Sequence, residues 1–188
     1  MEFEWLYKTL ESRAFRLNSN FEYVQFCALA FLSFSLPFFL GHPQLLVGSF
    51  VNAFIIISAL NLGAREAFSL ALLPSIGALS RGVLFGPFTP ALAFMVPFIW
   101  AGNLVLILAL KFLFVERRAN YALAVFAGAL AKSALLFASA FALLQLGLVP
   151  ALFLSTMGII QLATALAGGA LAFVLVKTGS CFGLPRAL

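Results

Sequence analysis

Aspartate is missing from this chain altogether, and its six acidic residues are glutamates at positions 2, 4, 11, 22, 66 and 116. None lies in the middle of an apolar run. Proton-coupled transport commonly uses carboxylates inside the membrane, so that mechanism lacks its groups. An aspartyl intramembrane protease is excluded for the same reason, and no H-E-x-x-H pair supports a zinc one. Cysteine is scarce too. Cys27 and Cys181 are too few and too far apart for a disulfide framework, a metal site or an iron–sulfur cluster. There is no G-x-x-x-x-G-K loop, so the chain is not expected to hydrolyse nucleotide in the usual way. Lys132 and Ser139 could suggest a Ser–Lys dyad. They are two helical turns apart, about 10 Å along the axis, which is beyond a hydrogen bond. No enzyme activity, cofactor or metal is expected.

Charge itself is sparse. Charged residues make up 9% of the 188 residues, against about 25% in a soluble domain. Hydrophobic residues make up 64%, and the mean hydropathy is +1.12. This composition belongs to an all-α, polytopic membrane protein. The net charge of +5 does not point to nucleic acid, because the basic residues punctuate the ends of apolar segments rather than covering one domain. The first twenty residues hold Glu2, Glu4 and Glu11 and no apolar core, so a cleavable signal peptide is not expected.

Six apolar segments stand out: 23–40, 44–60, 67–85, 90–114, 121–146 and 151–176. Gly41-His42-Pro43, Asn61-Leu62-Gly63, Gly86-Pro87, Glu116-Arg117-Arg118 and the Gly147–Pro150 stretch separate them. The expected layout is a cytosolic segment at 1–20, a compact six-helix membrane domain at 21–178 and a cytosolic tail at 179–188. Lys8, Arg13, Arg16, Arg65, Lys111, Arg117, Arg118, Lys177 and Arg186 fall at one set of segment ends, and only Arg81 at the other. The positive-inside rule then places both termini in the cytosol. Phe3, Leu6, Tyr7, Leu10 and Leu17 can share a helical face opposite Lys8 and Glu11. That pattern predicts a short helix on the membrane surface, the alternative being a frayed tail.

Lys132 lies inside the fifth segment with no acidic residue near it in sequence. A charge at the bilayer centre costs about 2.5–3.5 kcal/mol even on lenient insertion scales. Counting rise per residue, Lys132 sits roughly 21 Å beyond Arg118. Asn52, Asn103 and Gln161 fall near the middles of the second, fourth and sixth segments. Four strong hydrogen-bonding groups thus share one depth on four helices. Ser139 follows Lys132 on its stripe, and Thr164 follows Gln161. These six are candidate solute-binding residues, with Lys132 meeting an anion. The alternatives are interhelical glue for the amides, and for Lys132 an uncharged amine buried against an amide or carbonyl. Arg81, His42 and Gln44 could line an outward mouth, or be ordinary interfacial and turn residues. Phe98 and Trp100 could pack on an apolar ring of the solute. Small residues at Ala28, Ala127, Ala131, Ala165 and Gly169, with Ala134, Ala138 and Ala142, could form docking faces for a partner.

Several landmarks carry a resemblance. They are Pro43-Gln44-Leu45 with Asn52, Leu73-Pro74 with Arg81-Gly82, Pro97-Phe98-Ile99 with Gly102-Asn103, Ala131-Lys132, and the run Gln161 to Gly169. Over roughly residues 25–178 the chain resembles the substrate-binding S component of an energy-coupling factor (ECF) transporter. The resemblance implies a six-helix bundle in a prokaryotic cytoplasmic membrane that binds a vitamin-like solute from outside. It also implies a membrane T component and two ATPase subunits as partners. Many members dock through an A-x-x-x-A pattern in the first span, and the Cys27-Ala28-Leu29-Ala30 stretch departs from it. A six-span cell-shape scaffold of the MreD type and a solitary facilitator are the rival readings.

Overall fold

The computed structural model describes residues 2–15, 17–40 and 43–181. Arg16, Gly41, His42 and Arg186, and the side chains of Phe3 and Cys181, lie outside the described residues. The helices in chain order are α1 (Glu2–Glu11), α2 (Ser19–Phe39), α3 (Gln44–Asn61), α4 (Ala64–Arg81), α5 (Thr89–Ala109), α6 (Tyr121–Gln145), α7 (Leu152–Met157) and α8 (Ile159–Cys181). A short 3₁₀ turn, Gly86–Phe88, leads into α5, and a seven-residue π-helical stretch, Leu110–Glu116, prolongs it. The described residues contain no strand.

Five stretches are long and apolar enough to cross a membrane: Ser19–Phe39, Gln44–Asn61, Gly86–Glu116, Tyr121–Gln145 and Leu152–Thr178. The segment expected at 67–85 is the exception. It folds as α4, whose 18 residues carry Arg65 and Glu66 in the first turn and include Pro74 and four serine or glycine positions, which dilutes its apolar character. It also ends sooner than expected. Gly82 adopts φ 69°, a left-handed cap that glycine takes without steric cost, and Val83–Phe85 form a turn. The segment expected at 151–176 is broken in two at Gly158, whose backbone (φ −93°, ψ −98°) leaves the helix. A side chain there would meet the Phe137 ring at 3.0 Å.

Helix α3 is the central element, buried without interruption from Asn52 to Asn61. It packs chiefly on α8, while α2 packs on α4 and α5 on α6. Glycines set the closest of these approaches. A methyl group at Gly168 would lie 2.6 Å from Asn52 Cβ and 2.8 Å from the Ser49 carbonyl, so α3 and α8 touch nearly backbone to backbone. Gly102 leaves room for the Lys132 stem, its absent side chain facing Lys132 Cγ at 3.3 Å.

Two apolar clusters fill the bundle. One gathers the later half of α3, the start of α4, the end of α5, the start of α6 and Ala172. The other gathers Ala78, Leu92, Met95, Leu136, Ala140, Phe153 and Met157. On α4, α5 and α6 the buried polar residues Ser75, Asn103 and Lys132 fall between the residues of the two clusters.

The amino terminus does not form a helix through Leu17. Helix α1 stops at Glu11, and the chain then turns into the bundle. Ala14 and Phe15 donate backbone N–H to the Leu60 carbonyl at 2.8 and 3.3 Å, and Phe15 is buried. Glu11, expected to face away from the apolar side, reaches inward and accepts from the Ala64 amide at 3.2 Å. Arg13 pairs with Glu22 at 2.6 Å. Trp5 meets the Phe112 ring edge-on at 5.8 Å.

Candidate functional site

A cavity of about 90 Å³ lies between the two apolar clusters, lined by residues of α2 to α8 and by the turn before α5. Its walls are apolar, and six polar side chains reach it: Gln44, Asn52, Ser75, Asn103, Lys132 and Gln161. The four residues that shared one depth in the sequence therefore do converge, and Gln44 joins them.

Lys132 is 2% exposed. Its Nζ donates to Asn52 Oδ1 at 2.6 Å, its sole protein partner among the described residues. An ammonium carries three donors, so two have no protein acceptor. Neither ion pair found among the described residues includes it. Asn52 in turn donates from Nδ2 to the Gly48 carbonyl at 2.9 Å and to Thr164 Oγ1 at 3.2 Å. Thr164 passes its own hydrogen bond to the Gln161 carbonyl at 3.1 Å. A polar chain thus runs from α6 through α3 to α8, and the Gly48 and Gly168 contacts hold α3 and α8 close enough for it.

The remaining groups face the cavity with capacity to spare. Asn103 donates to the Ala71 carbonyl at 2.8 Å, and its Oδ1 accepts nothing from the described residues. The half-buried side-chain amides of Gln161 and Gln44 have no protein partner among the described residues. Gln161 stands in the first turn of α8, just after the Gly158 break, where helix amides lack intrahelical partners. Ser75 is already engaged, accepting from Trp100 Nε1 at 2.6 Å and donating to the Leu72 carbonyl at 2.9 Å.

Leu84 and Phe85, from the turn between Gly82 and Gly86, also line the cavity. The Phe85 ring stacks on Phe153 at 5.7 Å. Both glycines have positive φ, 69° and 50°, and Thr89 Oγ1 bonds to both of their carbonyls.

Other expected site residues lie elsewhere. Arg81 is exposed and does not line the cavity; its guanidinium lies over the rings of Phe38 and Phe39, 5.7 Å from each centre. Ser139 bonds to its own helix at Leu135, away from the cavity. Thr164 supports Asn52 without lining the space. Phe98 and Trp100 do not reach it, and the cavity's aromatic group is Phe85. Among the docking candidates, Ala28 and Ala131 are exposed and Ala127 is half-buried. Ala165 is fully buried, and a side chain at Gly169 would run into Val125, so both serve packing within the bundle.

The sequence reading passed over Pro37, which lines the cavity, although a proline inside an apolar helix was a visible signal; Pro74, a landmark of the resemblance only, lines it too. It also took Lys111 as an orientation signal only. Lys111 is fully buried at the other end of the bundle, where Nζ donates to the carbonyls of Ser12 at 2.5 Å and Leu62 at 2.9 Å.

Comparison of the chain with protein families, with curated proteins and with solved structures finds no match.

Proposed function

We propose that the chain is the membrane-embedded solute-binding subunit of an ECF-type importer, taking up a small anionic solute from outside. The observation that carries this reading is Lys132, buried beside a cavity with a neutral amide as its only protein partner among the described residues and two ammonium donors unused. A membrane-buried cation without a carboxylate is a functional-site hypothesis by default. An anion supplied from outside is the partner it lacks, and in the complex Lys132 is an ammonium. Asn103 Oδ1 and the amides of Gln161 and Gln44 supply hydrogen bonds to the rest of the solute.

The size of the cavity bears on the solute. About 90 Å³ holds roughly three waters at ~30 Å³ each, below the ~300–1,000 Å³ of ordinary ligand pockets. A larger solute therefore requires this space to widen. A vitamin-sized solute enters when the Gly82–Phe88 turn swings outward on its two glycines and withdraws Leu84 and Phe85.

Orientation follows from charge. Lys111, Arg117 and Arg118 mark the end of the bundle opposite this turn, so the positive-inside rule puts the turn outside and both termini in the cytosol. Helix α4 then completes a six-span bundle, its weak apolarity tolerated because α2, α3 and α5 cover it. The exposed alanine face of α6, with Ala131, Ala134 and Ala138, suits docking on a T component driven by two ATPases.

The test is native mass spectrometry of the protein purified gently from its own membranes, with extraction and identification of any retained small molecule. A retained anion lost from the Lys132→Met variant supports the reading. A stoichiometric protein partner and no small molecule would favour the scaffold reading, in which the Lys132–Asn52–Thr164 chain only ties three helices. Uptake that persists without the ATPase subunits would favour a solitary facilitator.

A further inference from the structure

A second, larger cavity of about 680 Å³ opens between the start of α6 and the later half of α8, at the charged end of the bundle. Its floor is aromatic. Tyr121 packs edge-on to Phe114 at 5.6 Å and tilts against Phe173 at 5.8 Å. Its phenol donates to the Gly169 carbonyl at 2.8 Å, so the hydroxyl is used and the rings present an apolar surface. Leu166, Ala170 and Val174 form an exposed stripe along one wall, spaced one helical turn apart. The shape is a long apolar trough with one polar end.

That polar end is cationic. Arg118 lines it, exposed and unpaired with any described carboxylate. Its backbone sits at φ 53°, a conformation that favours glycine, and yet the chain places an arginine there. Asn120 caps α6 beside it, accepting from the Ala122 amide at 2.8 Å. Lys177 adds a second cation near the rim, its Nζ 5.8 Å from the centre of the Phe173 ring. Arg117 is turned away and lies over Phe112 at 5.1 Å.

We infer that this groove is a binding site for one anionic phospholipid. The phosphate meets Arg118, with Lys177 near, and one acyl chain lies along Leu166, Ala170 and Val174 over the aromatic floor. Basic pockets between membrane helices at the cytoplasmic side take anionic headgroups, and guanidinium binds phosphate through paired N–H groups. The inference is independent of any solute in the central cavity, which different residues line.

The experiment is native mass spectrometry of the full chain in detergent, titrated with phosphatidylglycerol or phosphatidylcholine of identical acyl chains. Phosphatidylglycerol is expected to give a single retained adduct, and phosphatidylcholine a weaker one. In Arg118→Gln the phosphatidylglycerol adduct falls about tenfold, the loss expected for one charge-assisted hydrogen bond. Arg117→Gln keeps it. Ala170→Phe fills the trough and loses the adduct with the cations intact. Circular dichroism and melting temperature confirm that the variants are folded. Equal adducts for both lipids, or an undiminished adduct in Arg118→Gln, overturn the inference. Glycerol phosphate displacing the lipid at equal concentration overturns the acyl half and leaves a soluble-phosphate site.

Discussion

Replacing Lys132 with methionine keeps the length of the side chain and removes its nitrogen, and the structure sets the size of two separate effects. The first concerns the fold. Asn52 Oδ1 loses its only hydrogen bond among the described residues, and a buried acceptor left unpaired costs about 1–3 kcal/mol. Against this, removing a charge from membrane depth recovers about 2.5–3.5 kcal/mol on insertion scales. The two largely offset, and the stem still packs on Gly102. The melting temperature therefore falls by no more than about 2 °C and rises by up to about 10 °C. The second effect concerns the solute. A hydrogen bond to a charged group contributes about 1.5–3 kcal/mol, so its loss weakens binding roughly 10- to 150-fold. The assay is the occupancy of the co-purified small molecule by native mass spectrometry, alongside melting of the same preparations. Undiminished occupancy in a folded Lys132→Met protein would refute the anion-receptor argument. Lys132→Arg is also expected to lose the solute, because the planar guanidinium is bulkier than the ammonium it replaces.

Gln161→Leu removes an amide that has no protein partner among the described residues, so solute occupancy should fall while the melting temperature stays within about 2 °C; a stability loss without an occupancy loss would show that the amide is structural. Gly168→Ala drives a methyl group onto Asn52 Cβ and the Ser49 carbonyl, an overpacking expected to cost about 1–3 kcal/mol and readable as a lower melting temperature than Gly102→Ala, where the nearest atoms are flexible side chains at 3.2 and 3.3 Å. Lys111→Met leaves the half-buried Ser12 and the buried Leu62 without its hydrogen bonds to their carbonyls. Hydrogen exchange should then rise sharply across residues 9–15 and little in the middle of α6, and an even rise throughout would show that Lys111 holds no local seat.

The helical architecture and the convergence of Lys132, Asn52, Asn103 and Gln161 could be read from the sequence because both follow from periodicity and depth. Rise per residue is nearly constant in a helix, so residues at the middles of neighbouring spans meet at one level. Direction around the helix is harder. Ser139 sits on the Lys132 stripe yet misses the cavity, since two turns of rise carry it into the second apolar cluster's level. Arg81 stood near a presumed mouth, but two phenylalanines claimed its guanidinium, a contact between α4 and α2 that no spacing within α4 announces. Gly169 and Ala165 read as a docking face because small residues serve contacts inside a bundle and outside it equally well. The Gly82–Phe88 turn was marked by its glycines and proline, whereas the inward placement of Phe85 depends on Phe153, 68 residues later in the chain. Lys111 was legible only as a charge near a boundary; its burial required knowing that the amino terminus folds back.

That fold-back imposes an order on how the molecule is made. Lys111 bonds to the carbonyl of Ser12, 99 positions earlier. At roughly 5–20 residues per second, a ribosome needs on the order of 5–20 s between the two. Through that interval Glu22, Leu60 and Ala64, which also hold this segment, have been synthesised, but the amine that closes on Ser12 has not. The seat of residues 12–15 is thus completed only once the stretch that prolongs α5 has been made.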